Sequence, residues 1–117
     1  MRYFSIDEFD SPDRPGSASY NMDLEFLEML DEAREIAGVP FIVNSAYRTK
    51  EHNSNVGGSA TSSHLLGHAA DISTSSVSMT TRMIRALALA GFNRIGVSDT
   101  FIHVDNDPDK PEAYWSY

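Results

Sequence analysis

The chain has 117 residues, of which 17 are acidic and 9 are basic, for a formal net charge of −8, and it contains no cysteine. This length supports one hydrophobic core without a separate binding module, so residues 1–117 are predicted to form a single domain. The negative charge argues against a polyanionic partner such as nucleic acid. The absence of cysteine excludes a disulfide framework and a thiolate metal site, so any metal ligands must be His, Asp or Glu side chains.

The N-terminal segment shows no targeting signal. The stretch from Met1 to Asp7 turns acidic before any apolar run forms. No apolar run in the chain approaches the length of a transmembrane helix. We therefore expect a protein that is made in the cytoplasm and has no membrane span.

The first half of the chain contains one clear helical pattern. Residues 10–20 hold two prolines and a glycine and lack periodicity, which predicts a surface loop. Apolar residues at steps of three and four predict a helix over 23–37, with Asn21 as a candidate N-cap and Gly38 as its end. Residues 41–45 then have the β-branched and aromatic composition of a central strand.

The second half alternates predicted strands with one further helix. Ser78 is a candidate N-cap for a helix over 79–90, which Gly91 ends. The other predicted elements are a polar loop at 49–63, a short buried strand at 69–72, a serine-rich turn at 73–78, strands at 94–97 and 100–105, and a stiff turn at 107–111. Trp115 and the tyrosines after it are expected to cover the core or to flank a substrate groove.

Two short stretches, 62–71 and 101–105, carry the residues of a predicted metal site. His64 and Asp71 are too far apart in sequence to share one helical turn. Gly67 lies between them and can adopt backbone angles that are closed to other residues. The chain can therefore fold back and direct both side chains at one point.

Strand alternation organises the second of these stretches. It places Phe101, His103 and Asp105 on one face, and the apolar pair Ile102 and Val104 on the other. The apolar pair would anchor the strand while His103 faces the metal. Two imidazoles and one carboxylate leave a tetrahedral zinc ion one open position, which is typical of a catalytic site. The two stretches together therefore predict zinc-assisted hydrolysis.

The chain resembles the zinc D-alanyl-D-alanine carboxypeptidase-like family, whose members cut peptides of the bacterial cell wall and share their fold with the hedgehog signalling domain. The shared pattern is Ser62-x-His64-x-x-Gly67-x-Ala69-x-Asp71, followed by His103-x-Asp105. The resemblance extends to the opening residues 3–9, the segment 43–48 and the closing Trp115-x-Tyr117. It implies an α+β fold with a central, mostly antiparallel sheet, two main helices and a zinc cleft.

Carried over position by position, the resemblance implies that His64, Asp71 and His103 bind Zn²⁺ and that Arg48 binds substrate. A guanidinium can hold a carboxylate through two parallel hydrogen bonds, or stabilise an oxyanion. Ser62 is grouped with Arg48 as a candidate binding residue, because its hydroxyl could hydrogen-bond a ligand side chain and fix its orientation.

The general base has two candidates. Many relatives place an acid three positions before the last zinc histidine, where this chain has Thr100. In an extended strand Asp99 would lie roughly 13 Å from His103, whereas Asp105 would lie on the same face at roughly 7 Å. Asp105 and Asp99 are therefore both candidate catalytic residues, with a slight preference for Asp105. The alternative role for Asp105 is to orient a zinc ligand.

The two remaining histidines are expected to lie outside the zinc ligand set. His52 falls in the predicted polar loop and has no metal motif around it, so we expect a solvated side chain. His68 sits inside the motif at a position that the family pattern leaves free, and we expect it behind a ligand or on the surface.

The resemblance implies a zinc metallopeptidase that hydrolyses peptidoglycan stem peptides or crosslinks, as an endopeptidase or a D-Ala-D-Ala carboxypeptidase. We expect a monomeric phage lysis or cell-wall remodelling enzyme that reaches the wall or periplasm through phage release or an export route that the sequence does not show. The main alternative is a non-catalytic zinc-binding module of the same fold, which Thr100 keeps open. A metal-free carbohydrate- or peptide-binding domain is a third possibility.

Overall fold

The computed structural model describes residues 1–117 as an α+β fold, which confirms the predicted class. Its helices are α1 (Ala18–Asn21), α2 (Leu24–Ala37), α3 (Lys50–Asn55) and α4 (Val77–Leu89). Its strands are β1 (Val43–Ser45), β2 (Ala69–Ser73), β3 (Arg94–Val97), β4 (Phe101–Asp105) and β5 (Ala113–Ser116). Two short 3-10 turns cover Ile6–Phe9 and Ser63–Leu66. None of the helices has the length and apolar character needed to cross a membrane.

The five strands form one mostly antiparallel sheet in the order β1-β2-β4-β3-β5. The strand β4 lies at its centre and pairs antiparallel with both β2 and β3. The edge strand β5 runs parallel to β3. In this register His103 on β4 lies opposite Asp71 on β2 and opposite Gly96 on β3. The sheet therefore brings three distant parts of the sequence to one place.

The two faces of the sheet have different surroundings. Ile72, Ile102 and Val104 belong to the hydrophobic core, which also includes large side chains of the long helices α2 and α4. Burying each such side chain contributes about 1.5–3 kcal/mol to folding. Because successive side chains of a strand point to opposite faces, Asp71 and His103 are directed away from the helices.

The ends of the long helices correct two predicted caps. The carboxylate of Asp23 accepts a hydrogen bond from the Phe26 N–H at 2.9 Å and caps α2, so Asn21 was the wrong N-cap; it ends α1 instead. Gly38 ends α2 at φ +68°, as predicted. The helix α4 begins earlier than expected, because Ser76 rather than Ser78 caps it through the Met79 N–H at 3.1 Å.

Both predicted surface loops contain short helices. Residues 10–20 include most of α1, and residues 49–63 include all of α3, which Thr49 caps by accepting a hydrogen bond from the His52 N–H at 3.1 Å. His52 therefore lies on a helix and is half-buried, not on an open loop. Helices of four to six residues are too short to show an apolar period, which is why the pattern missed them.

Candidate metal centre

A tight turn brings His64 towards Asp71. Gly67 ends the 3-10 turn at φ +73°, and a Cβ atom there would lie 1.8 Å from the carbonyl oxygen of Asn21. The Asp23 N–H also donates to the Gly67 carbonyl at 3.0 Å. Only glycine meets both demands, a left-handed backbone and contact with another main chain. The turn thus packs against the start of α2 and leaves His64 buried.

The imidazole of His64 has one nitrogen occupied and one directed at Asp71. Its Nδ1 lies 2.7 Å from the carbonyl oxygen of Ala46. Because a carbonyl only accepts, Nδ1 carries the proton in the neutral ring and Nε2 keeps its lone pair. That Nε2 lies 3.3 Å from Oδ1 of Asp71.

In the imidazole of His103 the two nitrogens have exchanged roles: Nε2 is the occupied one and Nδ1 faces Asp71. Its Nε2 lies 2.7 Å from Oδ2 of Asp105, and its Nδ1 lies 3.0 Å from Oδ1 of Asp71. One nitrogen of each ring therefore points at the same carboxylate oxygen. One potential ligand atom from each of the three residues lies within 4.8 Å of the other two. Two imidazoles with hydrogen-bonded outer nitrogens, and one carboxylate, form a donor set that fits zinc.

The charges of this group are strongly coupled. Burial alone would raise the pKa of Asp71, but the hydrogen bond with His103 and the adjacent imidazole of His64 hold that pKa well below its ordinary value. Burial alone would lower the pKa of His103, but its hydrogen bonds to Asp105 and Asp71 raise it above the ordinary value. The carboxylates therefore favour the charged form of His103, and the imidazoles favour the ionised form of Asp71.

The side chain of Asp105 is fully engaged. It is 1% exposed, and besides His103 it accepts hydrogen bonds from Nε of Arg94 at 2.7 Å and from the Asp107 N–H at 3.2 Å. Burial would raise the pKa of Asp105, but the bonds from His103 and Arg94 lower it. These contacts favour the second of its two predicted roles, orienting His103.

The other candidate base, Asp99, lies outside this cluster. It is exposed in the turn between β3 and β4, and its side chain makes no hydrogen bond or ion pair. The extended strand β4 separates it from His103, with roughly 7 Å between the Cα atoms of Phe101 and His103 alone. Apart from Asp71 and Asp105, no carboxylate lies within hydrogen-bonding distance of His64 or His103.

The guanidinium of Arg48 lies beside the candidate metal-ligand group, which consists of His64, Asp71 and His103. Its Nη2 lies 3.5 Å from Oδ2 of Asp71, while Nε donates to Ser45 at 3.0 Å and Nη1 donates to Asn53 at 3.2 Å. A Cβ atom at Gly58 would lie 2.0 Å from Oδ1 of Asn53, so the glycine lets the loop close over this support. Arg48 is therefore held firmly at the edge of the site.

The remaining predicted residues have other contacts. The hydroxyl of Ser62 accepts a hydrogen bond from the backbone N–H of His64 at 3.3 Å and begins the 3-10 turn. His68 places Nδ1 2.7 Å from Oδ1 of Asn106, away from the ligand group. Sequence reasoning gave no role to Arg94, Ser45, Asn53 or the Ala46 carbonyl. Ser45 and Ala46 lie in the segment 43–48 that carries part of the resemblance, but the contacts of all four depend on the folded structure.

A comparison with protein families agrees with this geometry. The sequence model of Peptidase M15 matches residues 2–105, a range that contains all three candidate ligands. The chain belongs to the peptidase M15 family. M15 peptidases are zinc-dependent, so the family and the donor set point to the same metal. A comparison with curated proteins finds no match.

Proposed function

We propose that residues 1–117 form a single, monomeric M15 zinc peptidase domain that hydrolyses peptide bonds of bacterial peptidoglycan stem peptides or crosslinks. It would act as an endopeptidase or a D-Ala-D-Ala carboxypeptidase in phage lysis or cell-wall remodelling, at the wall or in the periplasm. The observation that carries the proposal is the convergence of His64 Nε2 and His103 Nδ1 on one oxygen of Asp71, at 3.3 and 3.0 Å. Family membership supplies the peptidase chemistry.

The three ligand residues would hold zinc, which supplies a Lewis acid for the scissile carbonyl and lowers the pKa of water. The chain's own groups orient the ligand residues and offer a contact for the substrate. Asp105 fixes the orientation of His103, and the Ala46 carbonyl fixes that of His64. Arg48 offers a cation beside the ligand group, where it can hold a substrate carboxylate or stabilise an oxyanion.

A non-catalytic zinc-binding module is the second candidate. The observation that favours it is the shortage of a free base, since Asp105 is occupied by three donors and Asp99 lies in an exposed turn. A hydrolase needs a group within hydrogen-bonding reach of the attacking water. In this alternative the zinc would stabilise the fold while wall peptides stay intact.

The deciding experiment is digestion of purified peptidoglycan by the zinc-loaded protein, followed by mass spectrometry of the fragments and measurement of zinc content. His64→Ala removes a ligand, and His68→Ala is the matched control, since His68 lies outside the ligand group. We expect new amino and carboxyl ends with the wild type and His68→Ala but not with His64→Ala. One bound zinc per chain without any released ends would instead establish the non-catalytic module.

A further inference from the structure

Aromatic side chains from the C-terminal segment lie beside the metal-ligand group. The Trp115 ring centroid lies 5.6 Å from that of His103, and the Tyr117 ring lies 6.3 Å from that of Trp115. Phe101 completes the row, with its ring 5.4 Å from that of Tyr117. Trp115 and Tyr117 lie outside residues 2–105, the range that the M15 sequence model matches.

The position of Trp115 is determined by its neighbours. It lies opposite Gly96 in the parallel pairing of β5 with β3, and a Cβ atom at Gly96 would lie 2.4 Å from the indole. The guanidinium of Arg94 lies 5.2 Å from the centroid of the indole ring, and it also donates a hydrogen bond to Asp105. The indole thus fills a space that glycine opens, next to the imidazole of His103.

Tyr117 extends the row of aromatic rings into solvent. Its backbone N–H donates to the Val97 carbonyl at 3.0 Å, so the strand pairing continues past Ser116 and Tyr117 projects on the same side as Trp115. The residue as a whole is 69% exposed.

We propose that Phe101, Trp115 and Tyr117 form a substrate-binding wall that takes the aliphatic part of a peptide residue next to the scissile bond. The proposal rests on the proposed function. Three aromatic faces offer hydrocarbon contact and few hydrogen bonds, which suits an aliphatic side chain. The wall begins at the imidazole of His103, a proposed zinc ligand, so its occupant lies within one or two residues of the bond that is cut. A peptide residue can lie that close to the bond, whereas a glycan strand lies further away.

Charge supports a peptide with a free or side-chain carboxylate as the occupant. The formal net charge of the chain is −8, yet Arg48 places its guanidinium 3.5 Å from Asp71 on the same ligand group. A substrate that pairs with Arg48 through a carboxylate can lay its aliphatic portion on the wall. The two contacts together would fix the direction of the peptide across the site.

The test uses the zinc-loaded protein and a synthetic stem pentapeptide ending in D-Ala-D-Ala. Trp115 is the only tryptophan, so its fluorescence reports peptide binding independently of cleavage. We expect Tyr117→Ala to raise both KM and the fluorescence Kd about tenfold, with kcat and zinc affinity close to wild type. Tyr117→Phe should recover most of the lost affinity, because it keeps the ring. Tyr114→Ala is the matched control, since Tyr114 lies on the same strand, faces the other way and is 63% exposed.

The outcomes distinguish a failure of the substrate-binding wall from a failure of the proposed peptidase function. Equal KM and Kd for Tyr117→Ala and Tyr114→Ala, with the wild type still cutting wall peptide, would overturn the wall alone. A Tyr117-dependent fluorescence response, with cleavage of neither the pentapeptide nor purified peptidoglycan, would support the wall and overturn the peptidase. Absence of a fluorescence response and of cleavage of either substrate by the wild type would overturn both.

Discussion

The two imidazoles of the candidate metal-ligand group depend on different acceptors. His64 is bonded to a backbone carbonyl, whereas His103 is bonded to the carboxylate of Asp105, which Arg94 supports from behind. A backbone acceptor survives any side-chain substitution, but a carboxylate does not. His103 is therefore the ligand whose orientation mutagenesis can test directly.

Asp105→Asn should lower zinc affinity about 10- to 100-fold, because the outer hydrogen bond of a ligand histidine fixes its ring and its basicity. Competition with a chromophoric chelator measures this affinity. Asp99→Asn provides the control and should bind zinc as the wild type does, since its side chain contacts no ligand. Wild-type zinc affinity in Asp105→Asn together with lost turnover would instead assign Asp105 the role of general base.

Two glycines with positive φ allow the cost of backbone strain to be measured separately from the cost of steric overlap. Gly38 at φ +68° has open space where a Cβ would lie, whereas a Cβ at Gly67 would meet the Asn21 carbonyl at 1.8 Å. Gly38→Ala should cost about 1–2 kcal/mol of unfolding free energy, the price of a left-handed alanine. Gly67→Ala should cost about 4 kcal/mol or more, because main chain must also move. Urea denaturation measures both, and equal losses would contradict the close packing at Gly67.

The helix α4 shows how one element can be predicted while its boundary is missed. Its apolar residues Met83 and Leu87 have helical spacing and are fully buried, so the period predicted the helix. The run Ser73 to Ser78 offers several possible caps, and sequence alone does not say which serine has the extended backbone that a cap requires. In the structure Ser76 has φ −160° and ψ 163° and is the cap.

Substitution of the two serines tests this assignment. Ser76→Ala should lower the unfolding free energy by about 1 kcal/mol, because the Met79 N–H loses its acceptor. Ser78→Ala is the matched control within the first turn and should change stability by less than about 0.5 kcal/mol. Thermal or urea unfolding gives both values, and a larger loss in Ser78→Ala would restore Ser78 as the cap.

The strands differ in how far local pattern could predict them. Alternation in 101–105 correctly separated Ile102 and Val104, which are buried in the core, from His103. It could not show that β3 places Gly96 opposite that histidine and Arg94 beside Asp105, because strand pairing is a long-range property. For the same reason the predicted return of Trp115 did not include its parallel pairing with β3.

For the molecule as a whole, the convergence of the three candidate ligand residues was predictable, because the motif concentrates them in two stretches. The residues that hold these three in place were not predictable, because they come from widely separated parts of the chain. Arg48 reaches Asp71 from the segment after β1, and Arg94 reaches Asp105 from β3. Asp107 ties the segment after β4 to Ser63, beside the ligand His64, through a hydrogen bond of 2.6 Å. The site is therefore coupled to global folding.

Acid stability tests this coupling at a carboxylate outside the ligand set. Burial would raise the pKa of Asp107, but hydrogen bonds from Ser63 and the Asp109 N–H, with the charge of Lys110, lower it below the ordinary value of 3.8. A carboxyl group whose pKa is lower in the folded state stabilises the fold above the unfolded-state pKa. That contribution disappears as the pH falls through the folded-state pKa. Stability of the metal-free protein should therefore decline below about pH 4.

Asp107→Asn should lower the unfolding free energy at pH 7 by about 1–3 kcal/mol, because the charge-assisted bonds from Ser63 and Lys110 are weakened. At pH 3 the difference from the wild type should shrink, since protonation of this carboxyl group in the unfolded state removes part of its contribution to stability. Urea unfolding of chelator-treated protein at both pH values measures the change. Asp109→Asn is the control, because that side chain is exposed. A difference that stays constant from pH 7 to pH 3 would show that the charge of Asp107 contributes nothing, and that only its shape holds Ser63 in place.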